Sequence, residues 1–135
     1  MRAALFIIAA LSQPTPAASD PAQLIGTWHG TSICTDRVAA PGCQDETAVY
    51  EFTPGAKPGT VHWAADKVVN GQRVRMGEFD MMYDKAESCW KVEFQSPQFH
   101  VAWRLTVEGS RLTGTGRTLP GNATVRKVEL RREHQ

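Results

Sequence analysis

Hydrophobic and polar residues alternate along most of the chain after residue 23, in short segments rich in Val, Thr, Trp, Phe and Tyr. Alternation with a period of two is typical of β-strands that are buried on one face. No segment beyond the first nineteen residues predicts a helix. The predicted strands are Leu24–Cys34, Glu46–Thr53, Thr60–Ala65, Lys67–Val69 turning into Gln72–Tyr83, Cys89–Gln95, Gln98–Val107, Arg111–Leu119 and Ala123–Arg131.

Turn-forming residues separate these segments at short intervals. Asn70-Gly71 predicts a two-residue hairpin, because both residue types tolerate the positive φ angles of a type I′ turn. When Lys67–Val69 is counted as the end of the third strand, about eight strands follow one another through short connections, so sequential neighbours are antiparallel. Eight strands are about the number that closes a small barrel. We therefore predict an all-β fold, an eight-stranded antiparallel up-and-down barrel, with a β-sandwich as the main alternative.

The alternation also assigns faces, and most of the large aromatic residues fall on the inward face. These side chains either line a pocket for a small apolar or planar ligand or fill the barrel completely, and the sequence leaves both alternatives open. The candidate lining residues are Trp63, Phe79, Tyr83, Trp90, Phe94 and Trp103.

The first nineteen residues differ from the rest of the chain. A basic Arg2 precedes the apolar run Ala3–Leu11, and small residues follow it. This order is typical of a secretory signal peptide, and the apolar run is shorter than the roughly 20 residues needed to span a bilayer. We expect residues 1–19 to be a signal peptide and 20–135 a single β-barrel domain, periplasmic or secreted, with no membrane insertion after cleavage.

Three cysteines fit an oxidising compartment. Cys34 and Cys43 bracket a short loop rich in turn formers, and we predict that they form a disulfide. Cys89 is then left over, either as a buried thiol or as an alternative partner, and the sequence does not settle the pairing.

Charge and motifs narrow the function classes. The formal net charge is +1, which argues against general nucleic-acid binding. His29, His62 and His100 fall on the outward face of three different strands, so we predict no metal site. No nucleophile motif or phosphate-binding glycine loop occurs. We therefore expect no enzyme activity, no catalytic residue and no cofactor.

Gly26-Thr27-Trp28, at the start of the first strand, resembles the Gly-x-Trp signature of lipocalins and related calycins. The wider segment Gly26–Cys34 resembles small exported bacterial lipocalin-like proteins of unassigned function. The resemblance implies that Trp28 closes one end of the barrel and that an Arg of the last strand lies across its ring. Arg126 shares the inward parity of Val128 and Leu130, so Gly26, Trp28 and Arg126 are the expected structural lock.

These observations together favour binding over catalysis. We expect an exported, monomeric, non-enzymatic barrel for a small apolar or aromatic ligand. The alternative is a protein-interaction module, such as an inhibitor of an exported enzyme, that uses its loop tips, the Cys34–Cys43 loop or its N-terminal arm.

Overall fold

The computed structural model describes residues 7, 9–10 and 18–134. The elements are α1 (Pro21–Leu24), β1 (Gly26–Cys34), β2 (Glu46–Pro54), β3 (Thr60–Val69), β4 (Gln72–Asp84), β5 (Cys89–Gln95), β6 (His100–Glu108), β7 (Arg111–Thr118) and β8 (Thr124–Arg132). Most of the predicted signal peptide lies outside the described residues, so it stays a prediction. Within the described part of the chain, no helix has the length and apolar character needed to cross a membrane.

The eight strands form one closed barrel. Each strand pairs antiparallel with its neighbours in sequence, and β1 pairs with β8 to complete the ring. This confirms the predicted eight-stranded antiparallel barrel and excludes the sandwich. The Asn70-Gly71 hairpin is also confirmed, with φ angles of 51° and 75° at its two central residues.

The expectation that no helix follows residue 19 is wrong for one short segment. Pro21–Leu24 forms a single helical turn, and the Asp20 side chain caps it by accepting a hydrogen bond from the Ala22 backbone N–H at 3.0 Å. An acceptor side chain before a helix and a proline at its first position are both favourable at a helix start. The turn covers the end of the barrel at which β1 begins, which we name the closed pole; the opposite end is the open pole.

A tryptophan and an arginine seal the closed pole. Trp28 is fully buried, and its indole Nε1 donates a hydrogen bond to the Leu24 carbonyl at 2.9 Å. The guanidinium of Arg132 lies 4.4 Å from the centre of the indole ring. It also donates to the Ile25 carbonyl at 2.7 Å and to the Gln23 carbonyl. Arg132 thereby combines a cation–π contact with hydrogen bonds to backbone groups of the α1 segment.

The prediction that Arg126 lies across Trp28 is wrong, and the strand register gives the reason. In the antiparallel β1–β8 pair, Trp28 is opposite Arg132, whereas Arg126 is opposite Cys34 at the other end of β1. Both arginines share the inward parity, so alternation alone does not distinguish them. The structural lock therefore consists of Gly26, Trp28 and Arg132. A Cβ on Gly26, whose φ is 134°, would lie 2.9 Å from Arg132 Nη1.

The half of the barrel nearest the closed pole is packed with side chains. Its core residues are almost completely buried, and they come from strands all around the ring: Leu24, Trp28, Phe52, Val61, Met81, Trp90, Leu105, Val107, Leu112, Val128 and Leu130. The segment before the helix contributes as well, since the Ala18 N–H donates to the Val107 carbonyl at 2.9 Å. No ligand-sized space is expected among such closely packed groups.

The hydrogen-bonded ring is weakest between β4 and β5. Only three residue pairs join these strands, from Met82↔Lys91 to Asp84↔Cys89, although both strands continue towards the open pole. Beyond those pairs, the side chains of Phe79 and Phe94 meet edge to face, with ring centroids 5.4 Å apart. The two strands are therefore joined by backbone hydrogen bonds near the closed pole and by aromatic contact nearer the open pole.

The predicted Cys34–Cys43 disulfide is present, with the two Cα atoms 6.0 Å apart. It ties down the loop between β1 and β2 at the open pole. Cys89 is a free and buried thiol at the start of β5. A disulfide is compatible with an oxidising compartment.

Replacement of Trp28 tests the role of the closed pole. Trp28→Ala removes a fully buried indole and the surface on which Arg132 rests, so we expect the free energy of unfolding to fall by about 3–5 kcal/mol. Chemical denaturation followed by circular dichroism measures this change. The exposed neighbour provides a matched control, because His29→Ala should change stability by no more than about 0.5 kcal/mol. A loss below about 1 kcal/mol for Trp28→Ala would contradict the closure of this pole.

Candidate functional site

A cavity of about 380 Å³ occupies the half of the barrel nearest the open pole. Aromatic and aliphatic side chains form most of its surface, and a few polar and charged residues lie together on one side. The lining residues are Ser32, Glu46, Tyr50, Trp63, Ala65, Met76, Gly77, Glu78, Phe79, Phe94, Phe99, Val101, Trp103, Val125 and Arg126. A mostly apolar cavity of this size with a few polar groups is typical of small-molecule sites.

Four of the six predicted lining residues contact this cavity: Trp63, Phe79, Phe94 and Trp103. Tyr83 and Trp90 do not line it. They form an edge-to-face pair with centroids 5.4 Å apart at the level where β4 and β5 are hydrogen-bonded, and Trp90 Nε1 donates to the Ala18 carbonyl at 3.3 Å. Both residues point inward as expected, but they belong to the packed half of the barrel.

The bottom of the cavity is aromatic. Trp63 is buried between the two halves, with ring centroids 5.0 Å from Tyr50, 5.3 Å from Phe79 and 5.4 Å from Trp103. Trp103 fits into the wall because Gly116 is opposite it, and a Cβ at Gly116 would lie only 3.0 Å from the indole ring. Gly116 thus makes room for the Trp103 indole.

The rim beside the β4–β5 separation is apolar and partly exposed. Phe99 and Met76 are 52% and 42% exposed, and Phe99 also contacts Phe94 with centroids 5.7 Å apart. Both residues also line the cavity, so its apolar surface continues to the outside of the protein at this rim. The cavity therefore has an apolar side as well as a polar one.

Arg126 forms the centre of the polar side. Its Nη1 donates to the Ser32 hydroxyl at 3.0 Å, and its Nη2 donates to the Gln44 carbonyl at 2.9 Å and to Glu46 Oε1 at 3.2 Å. Tyr50 lies nearby, and burial raises the pKa of its phenol although the adjacent Ser32 hydroxyl lowers it. The phenol therefore stays protonated, and the only full charges in this group are on Arg126 and Glu46.

The three strand histidines lie outside the barrel, each beside different carboxylates. His29 is 3.5 Å from Glu133, His100 is 3.3 Å from Glu93, and His62 contacts Asp80 at 2.8 Å. Among the described residues no cluster has the arrangement of a metal site. The histidines are separate surface groups, and the expectation of no metal centre stays a prediction.

Cys89 and His100 do not form a nucleophile–base pair. The strands β5 and β6 are paired, but Cys89 begins β5 whereas His100 is opposite Gln95 at its other end. Burial also raises the pKa of the Cys89 thiol, which keeps it protonated at neutral pH. This arrangement favours a structural role for Cys89.

Ser32, Glu46 and Tyr50 were not among the predicted site residues, and Arg126 was predicted only as part of the structural lock. Glu46, like Tyr50 and Phe52, falls on the inward face of β2, so alternation already directs its side chain into the barrel. The same reasoning applies to Ser32 at the end of β1. Alternation thus indicated an inward-facing carboxylate, but the register that places Arg126 beside it is a property of the folded chain.

Comparison with known proteins assigns no relative. No protein-family model matches the chain, and no curated protein matches it at a significant level.

The surface contacts of His62 predict a contribution to folding stability that depends on pH. Hydrogen bonds to Asp80 and then to Glu78 raise the pKa of His62 above its ordinary value. Because the folded-state pKa is the higher one, this contribution to stability is full below about pH 6.5 and is lost as the pH rises through the folded-state pKa. Asp80→Asn removes the main partner, so we expect the NMR titration midpoint of the His62 imidazole to fall.

Glu93 offers the matched control for this titration, since its carboxylate contacts a different histidine. Glu93→Gln should leave the His62 midpoint unchanged. An unaltered His62 midpoint in Asp80→Asn would show that the contact does not persist in solution.

Proposed function

We propose that this chain is a non-enzymatic binding barrel that holds a small apolar or aromatic molecule in the open-pole cavity. The observation that carries the proposal is the division of the barrel interior. One half is packed and sealed by Trp28 and Arg132, and the other forms an open-ended cavity of about 380 Å³ lined largely by apolar groups, six of them aromatic. A blind, apolar cavity binds by removing apolar ligand surface from water, and aromatic walls suit planar molecules.

The proposal also includes export to an oxidising compartment, periplasmic or extracellular. The pattern of the first nineteen residues and the Cys34–Cys43 disulfide support it. The barrel would act there as a carrier or scavenger of its ligand.

A second candidate is a protein-interaction module, such as an inhibitor of an exported enzyme. One observation favours it: Val38 is 95% exposed in the loop that the Cys34–Cys43 disulfide constrains. A constrained loop loses little conformational freedom when it binds, which favours affinity. The open-pole cavity supports the ligand-binding proposal more directly, because a protein that acts only through its loops has no need of a hollow interior.

Binding of an uncharged fluorescent probe tests the proposed function. N-phenyl-1-naphthylamine brightens in apolar surroundings, and we expect it to bind wild-type protein at micromolar concentration while quenching tryptophan emission. Val101→Trp places an indole in the cavity and should weaken probe binding by at least about tenfold. Titration of probe fluorescence measures both, after circular dichroism has confirmed the fold of each variant.

The control is the same substitution on the outer face of the barrel. Glu93 is adjacent in the sheet but exposed, so Glu93→Trp should leave the probe affinity unchanged. Absence of binding to the folded wild-type protein, or equal loss in both variants, would contradict the open-pole cavity as the site.

A further inference from the structure

The charges that face the cavity compensate one another within its wall. Resting on the proposed function, we propose that the ligand is an uncharged molecule with a planar apolar body and one hydrogen-bonding polar group. The polar group would lie beside Arg126, Ser32 and Tyr50, and the planar body between the aromatic side chains. The site would discriminate against carboxylates and against ammonium groups.

The Arg126–Glu46 pair is mostly enclosed by protein. The exposed fractions of the two side chains are 18% and 13%, and Arg126 Nη2 lies 3.2 Å from Glu46 Oε1. Three hydrogen bonds, to Ser32, the Gln44 carbonyl and Glu46, fix the guanidinium in place. In so enclosed a position a charge is tolerated because it is paired and hydrogen-bonded.

Glu78, the remaining charged lining residue, does not alter this balance. Its side chain is 54% exposed, and Oε1 lies 3.2 Å from His62 Nε2 and 3.3 Å from Arg75 Nη1. His62 pairs across the sheet with Asp80 on the outer face of β3 and β4. The Glu78 carboxylate is thus engaged by His62 and Arg75 on the outer face, where the residue borders the rim of the cavity.

An anionic ligand would disturb the pair. A carboxylate that binds Arg126 would place a second negative charge beside Glu46, so two enclosed carboxylates would share one counter-charge. An ammonium ligand has the corresponding cost for the positive charge, because it would attract Glu46 and leave Arg126 unpaired. Tyr50 supplies no compensating charge, since its phenol stays protonated. A neutral group avoids both costs.

Hydrogen-bonding capacity remains for such a neutral group. Arg126 has five N–H donors, of which three make the hydrogen bonds described above. The Ser32 and Tyr50 hydroxyls lie in the same part of the wall. A carbonyl or hydroxyl can therefore bind here without breaking the ion pair, whereas a pure hydrocarbon forgoes this contact.

Four naphthalene probes of nearly equal shape test the inference on the wild-type protein. They are 2-acetylnaphthalene, 2-ethylnaphthalene, 2-naphthoate and 2-naphthylmethylammonium, with dissociation constants measured by tryptophan quenching. We expect the ketone to bind more tightly than the hydrocarbon. We expect both ions to bind at least about tenfold more weakly than the ketone.

Two variants should change the charge preference in opposite directions. In Glu46→Gln the guanidinium is uncompensated, so the affinity of naphthoate relative to ethylnaphthalene should rise by at least about tenfold. In Arg126→Gln the carboxylate is uncompensated, and the relative affinity of the ammonium probe should rise instead. Glu93→Gln removes the same charge from the outer surface and should leave both ratios unchanged.

The possible results separate the two proposals. If ethylnaphthalene binds but naphthoate binds as tightly as the ketone, the inferred neutral ligand is wrong while the binding function stands. Unchanged ratios in folded Glu46→Gln would likewise overturn the inference. If none of the four probes binds, the proposed function itself fails, and the inference with it.

Discussion

The contact between Arg132 and Trp28 determines which half of the barrel is solid. The guanidinium lies over the indole ring and donates hydrogen bonds to carbonyls of the α1 segment, so one side chain joins the last strand, the first strand and the N-terminal turn. A ring of eight strands has a hole at each end unless something covers it. Once this end is sealed, the adjacent interior can be packed without water.

The opposite end is built differently. Loops rather than a helical turn surround it, and one of them is constrained by the Cys34–Cys43 disulfide. Below these loops the large side chains line a cavity instead of filling it, and Trp63 separates this cavity from the packed half. The packed core and the cavity of the proposed binding function thus lie in different halves of the barrel.

Much of the fold follows from local patterns in the sequence. Alternation locates the eight strands, and the Asn70-Gly71 turn and the short connections imply the antiparallel meander. Alternation also directs the aromatic side chains inward. It does not give their height along the barrel axis, which depends on strand register. For this reason Tyr83 and Trp90 were expected beside Trp63 and Trp103 in one pocket, although they lie in the packed half.

The same limitation explains the misassigned arginine. Arg126 and Arg132 have equal parity, and only the pairing of β8 with β1 shows that Arg132 reaches Trp28 while Arg126 reaches Ser32 and Glu46. The four-residue helix is also too short to leave a periodic pattern. Local signals therefore identify faces and turns, whereas the lock and the polar side of the cavity arise from contacts between residues distant in sequence.

The central claim is that the barrel is hollow at one end and solid at the other. A crystal structure of the protein with 2-bromonaphthalene tests it most directly, because the anomalous scattering of bromine locates the ligand independently of the protein coordinates. We predict one bromine position inside the open-pole cavity, near Phe94 and Trp103. Bromine beside Trp28 or Trp90 in the sealed half, or only on the outer surface of the barrel, would contradict the claim.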